Sequence, residues 1–82
     1  MSPQPHAVKI LSYNRTMLAT RWLIQFSYNA LSDNYLPPPW WDEFKQWLDE
    51  NTLNDVKMIN GMYPMADFAS RDDALLCYMR FS

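Results

Sequence analysis

Three consecutive prolines, Pro37 to Pro39 in the stretch NALSDNYLPPPWW, constrain this chain more than any other feature. Inside a helix a proline removes a hydrogen bond and clashes with the preceding turn, and in a central strand it removes a ladder donor. No regular element can run through this stretch, so two different elements must meet at a stiffened connection. Pro39 can still open a helix, because the first helical N–H has no partner within the helix. The residues PWWDEFKQWLDEN then carry Trp40, Phe44, Trp47 and Leu48 at helical spacing. Asp42 and Glu43 fall in the first turn, where the helix dipole favours negative charge.

Before the prolines the period changes. In TMLATRWLIQFSY the residues Thr16, Leu18, Thr20, Trp22, Ile24, Phe26 and Tyr28 share one face of a strand. A helical reading would align Leu18, Trp22, Phe26 and Ala30, but Arg21 and Gln25 intrude on that stripe, and the strand is the reading adopted. Upstream, HAVKILSY predicts a short strand over 7–12, followed by a turn at Asn14 and Arg15. Residues 1–6 form a polar, proline-containing arm expected to be mobile.

Downstream, DVKMINGMYPMADF reads as a hairpin of Val56–Ile59 and Met62–Phe68. Asn60 and Gly61 are the pair that tolerates the positive φ values of a tight two-residue turn. Pro64 then belongs at an edge, at a bulge, or where its missing donor would point outward. Ser70, with Asp73 three residues on, resembles a helix N-cap, so a short helix is expected from Arg71. CYMRFS closes the chain with Cys77, Met79 and Phe81 alternating, which predicts a final strand. The expected fold is α+β, a small ferredoxin-like βαββαβ sandwich with an extra N-terminal strand, as one domain over 7–82. Its helices cover one face of the sheet, and the other face is where a binding site is sought.

Apolar residues make up 49% of the 82 and include four Trp, enough to build one core without disulfides. One cysteine excludes a disulfide framework, and no apolar run approaches the roughly 18 residues of a membrane span. The expected location is the cytoplasm. His6 sits in the arm and Cys77 in an apolar segment, so no catalytic triad can be assembled, and neither an enzyme nor a metal or cofactor site is expected. The acidic pairs Asp42/Glu43 and Asp72/Asp73 are explained by helix starts. Charge is divided unevenly: residues 1–30 hold Lys9, Arg15 and Arg21 with no acid, while the rest holds all nine acids and four bases. Three positive charges fall short of the basic stripe that phosphate binding uses.

Gly61, Met65, Phe68, Ser70, Asp73 and Ala74 give the segment 61–78 a resemblance to RNA-recognition-motif domains, at the passage from third strand to second helix. That resemblance implies a single-stranded nucleic-acid face near Tyr63 and Trp22 or Phe26. Here Met62 and Pro64 stand where that family has small and aromatic residues, so nucleic acid is the alternative partner. Phe68, Asp73, Ala74, Arg80 and Phe81 also resemble the ends of small tailed-bacteriophage proteins. That resemblance implies a viral accessory protein in the host cytoplasm that inhibits or redirects a host protein of defence or transcription machinery.

Trp, Tyr and Met are enriched at the centres of protein interfaces, and this chain has four, five and six of them. The leading expectation is therefore a non-catalytic protein-binding module, with contact through Tyr35, Trp40, Trp41 and Tyr63. Trp40 lies on the helix's apolar stripe, so Trp41 is the expected exposed member. A homodimer or other homo-oligomer would bury the same aromatics.

Overall fold

A computed structural model describes residues 4–16, 19–33 and 36–82. The chain forms β1 (Ala7–Thr16), β2 (Ala19–Phe26), α1 (Trp41–Asn51), β3 (Val56–Ile59), β4 (Met65–Phe68) and α2 (Arg71–Phe81). The strands make one antiparallel sheet in the order β1-β2-β4-β3. The protein is thus a small α+β fold of a four-stranded sheet and two helices. Among the described residues no helix is long and apolar enough to cross a membrane.

The alternation read in β2 is what the sheet uses. Trp22, Ile24 and Phe26 point to the helical side, where Ile24 and Phe26 are fully buried with Ala66 and Phe68 of β4. The helices meet them with stripes of matching period, Trp41, Phe44 and Leu48 from α1 and Ala74, Cys77 and Phe81 from α2. Aromatic edges fill the centre: the Phe44 ring lies 4.9 Å from that of Phe26 and 5.2 Å from that of Phe81, both edge-on.

Four local expectations are corrected. The predicted closing strand is helical: α2 runs unbroken to Phe81, and Met79 is exposed. Ser70 Oγ accepts from the Asp73 N–H and starts this helix, and no Gly or Pro interrupts residues 71–81. The turn expected at Asn14 and Arg15 is absent, because Asn14 pairs with Thr20 and β1 continues to Thr16. The helix expected to open at Pro39 begins at Trp41 instead, after Trp40. The tight Asn60–Gly61 turn is replaced by a loop over 60–64, since Ile59 pairs with Met65. The φ of Gly61 lies outside the left-handed region, and open space surrounds the place where a Cβ would stand. Pro64 is buried at the loop's end, and its carbonyl accepts from the Phe26 N–H at 2.8 Å.

Residues 4–6 of the expected arm lie against the fold. The His6 carbonyl accepts from the Ser27 N–H at 2.9 Å, and Gln4 and Pro5 line a small cavity with Phe44, Trp47 and Phe81.

Candidate functional site

Of the four predicted contact residues, Tyr63 is surface-exposed, at 47%. Trp40 and Trp41 are both in the core, at 6% and 8%, which corrects the expectation that Trp41 faces solvent. Trp40 precedes the helix, with φ of −89° and ψ of 4°, so the 100° rotation between successive helical residues does not separate the pair. The proline-stiffened connection, tied by a Trp41 N–H donated to the Pro38 carbonyl, brings both rings onto the same cluster. The Trp40 ring lies 5.3 Å from Phe26 and 6.0 Å from Trp41. Tyr35 lies outside the described residues.

Tyr63 belongs to an apolar group at the end of the sheet where β2 leaves and the 60–64 loop turns. Its ring meets that of Tyr28 edge-on at 5.8 Å, and Tyr28, Leu31, Leu36 and Met62 are all more than half or half exposed. Beneath them Asn29 is buried. Its N–H donates to the Met62 carbonyl at 2.8 Å, its side-chain amide donates to Leu36, and its Oδ1 accepts from the Leu31 N–H. Asn29 therefore ties the two loops together through its backbone N–H, while its side chain braces its own connection at Leu31 and Leu36. Neither Tyr28 nor Asn29 is singled out by the sequence, where Tyr28 extends the strand pattern and Asn29 is one polar residue in a connection.

The sheet face turned away from the helices carries Leu11, Leu23, Met65 and Ile59 around a polar centre. There Arg21 Nε donates to Asp67 Oδ1 at 2.9 Å, and its terminal nitrogen reaches the Asp67 carbonyl at 3.3 Å and Asp55 at 3.6 Å. Tyr13 donates its hydroxyl to Asp67 Oδ2 at 2.5 Å, and this bond to a carboxylate raises the phenol's pKa. The same carboxylate raises the Arg21 pKa and so holds it charged. The basic first part of the sequence is thus partly neutralised by acids from the second. Trp22 and Phe26, which the RNA-recognition resemblance would place near a base-stacking face, pack instead on the helical side.

Burial pushes the Cys77 thiol up to about 12. A thiol in an unfolded chain ionises near ~8.5. Between those pH values the unfolded chain has lost a proton that the folded chain keeps, so stability falls as pH rises, by about 1.4 kcal/mol per unit. Below ~8.5 the thiol contributes no pH dependence. Urea midpoints at pH 8 and pH 10.5 should therefore separate more for the native chain than for Cys77→Ala; equal separations would remove the thiol as the cause. No group of three or more His, Cys, Asp or Glu side chains able to share a metal ion occurs among the described residues.

These features define a small α+β protein with a tyrosine- and methionine-bearing apolar end and a sheet face centred on a paired arginine. No protein-family model, curated protein or solved structure matches the chain.

Proposed function

We propose that the protein is a non-catalytic module that binds another protein through the end of the sheet formed by Tyr28, Met62 and Tyr63. The observation that carries this reading is the exposed Tyr28–Tyr63 pair, set beside the buried, hydrogen-bonded Asn29 that ties the two loops together. Large rigid aromatics with a polar tip lose little conformational entropy on contact and dominate interface energetics. A module of this kind needs its contact residues fixed before the partner arrives, which is what a buried bracing residue supplies. The resemblance to tailed-phage proteins implies a host protein as that partner.

The sheet is read in the same proposal as a ferredoxin-like arrangement with a substituted strand. The succession β2-α1-β3-β4-α2 follows the split βαβ order, and β1, entering from the N-terminal side, takes the place beside β2 that a closing C-terminal strand would occupy.

The test is affinity capture from bacterial lysate with nuclease-treated and untreated samples in parallel. A single protein partner that survives nuclease and falls at least tenfold with Tyr28→Ala/Tyr63→Ala is the expected result. Recovery of nucleic acid alone, or equal capture by the variant, would remove this surface from the proposal.

A further inference from the structure

A groove of about 360 Å³ runs between α1 and β3, walled by Lys45, Leu48 and Asp49 on the helix and by Val56 and Met58 on the strand. Leu53, at 98% exposure, stands at its rim. β3 is the last strand of the sheet, so one of its sides has no strand beside it among the described residues.

The backbone shows which groups face that side. The Ala69 N–H donates to the Asp55 carbonyl at 3.0 Å, and the β3–β4 register pairs Lys57 with Asp67 and Ile59 with Met65. In an antiparallel ladder, bonded residues alternate along each strand. Asp55, Lys57 and Ile59 therefore bond to the β4 side, and the N–H and C=O groups of Val56 and Met58 point to the free edge. Their side chains, half-buried, enter the groove.

We propose that this edge takes an extended segment of a partner protein by strand addition, with an apolar–acidic–apolar triplet at its centre. Two outward donor and acceptor pairs, one residue apart, match the backbone repeat of an extended peptide and of no small ligand. The two residues opposite Val56 and Met58 place their side chains in the groove against the apolar Val56, Met58 and Leu53, with Lys45, Asp49, Thr52 and Asn54 around them. The residue between them lies opposite Lys57 on the other face. On β4 the register partner of Lys57 is Asp67, whose carboxylate is already held by Arg21 and Tyr13, so an acidic residue from an added strand complements Lys57.

A second copy of β3 paired over both Val56 and Met58 is the poorer occupant. The register that sets Val56 and Met58 of one chain against Met58 and Val56 of another puts Lys57 directly opposite Lys57, and like charges so placed are destabilising. The other sheet edge, β1, is guarded differently. It carries register shifts between Ala7 and Lys9 and between Asn14 and Thr16, and such bulges twist an edge away from pairing. This site uses none of the residues of the Tyr28–Tyr63 surface, and its test stands apart from that one.

The experiment is an NMR titration of the ¹⁵N-labelled full chain with the capped peptide Ac-Ser-Val-Glu-Leu-Ser-NH₂. The expected result is saturable shifts of the Val56 and Met58 amides with slowed hydrogen exchange there, abolished when the peptide's Val and Leu nitrogens are methylated. Met58→Pro removes an outward donor while sparing the β4 ladder, and should weaken binding at least tenfold. Lys57→Glu should weaken this peptide and strengthen one with Lys in place of Glu. The proposal fails if those amides do not move at millimolar peptide, or if the N-methylated peptide binds equally. It fails also if the amides broaden with the protein's own concentration, which would make a second copy the occupant.

Discussion

Truncating Phe44 to alanine lowers stability by about 3–5 kcal/mol, the range for removing a fully buried phenylalanine. The expectation rests on where the ring sits: 1% exposed, edge-on to Phe26, Trp40 and Phe81, and stacked with Trp47. α1 reaches the sheet through this side chain and its neighbours Trp41 and Leu48, so the void would open at the junction of both helices and β2. A domain of this size has only about 5–15 kcal/mol in total, which leaves the variant near its unfolding midpoint at moderate temperature. Calorimetry would check this; a thermal midpoint within a few degrees of the native value would mean that the aromatic cluster closes over the gap.

Asp67→Ala comes second. Removing the carboxylate strips Arg21 of its shortest partner and Tyr13 of its acceptor, on a side of the sheet where Arg21 is only 9% exposed. Breaking a buried pair from one side costs several kcal/mol in general, because an uncompensated charge remains. Here the loss should be about 2–3 kcal/mol, toward the lower end, since Asp55 lies 3.6 Å from Arg21 and can take over part of the pairing. Replacing both members, as Arg21→Met/Asp67→Leu, should recover most of that loss, because it deletes the charges together. Urea unfolding of the native chain, both single variants and the double variant gives the coupling directly. If the two single losses simply add in the double variant, the pair is not a unit.

The parts of the fold that could be read from sequence are those where one period stands alone. In β2 the alternation of Trp22, Ile24 and Phe26 has no competing stripe free of polar intrusion, and in α1 the proline run fixes where the helix can begin to within two residues. The C-terminal segment supports two periods at once. Cys77, Met79 and Phe81 alternate, but Ala74, Cys77 and Phe81 also form a helical stripe, and the Ser70 cap tips the balance by starting a helix before the alternation begins. The candidate surface was legible only in Tyr63. Trp40 and Trp41 look like a surplus when counted, yet a small core closed by two short helices has room for both, and composition cannot say which aromatics a loop will carry outward. Asp67 and Arg21 are far apart in sequence, and nothing local to either signals the other.

The place of β1 in the sheet bears on how the chain is made. β1 and β2 are adjacent in sequence and in space, so their hairpin can close as soon as it leaves the ribosome, whereas the other side of β2 waits for β4. At ordinary elongation rates that wait is on the order of seconds. Throughout it, the strand destined for the middle of the sheet shows Trp22, Ile24 and Phe26 and a row of unpaired backbone groups to its surroundings. Yield in a cell should therefore depend on how quickly residues 41–68 follow, and a slow stretch of translation there would favour aggregation of a chain whose finished form is stable.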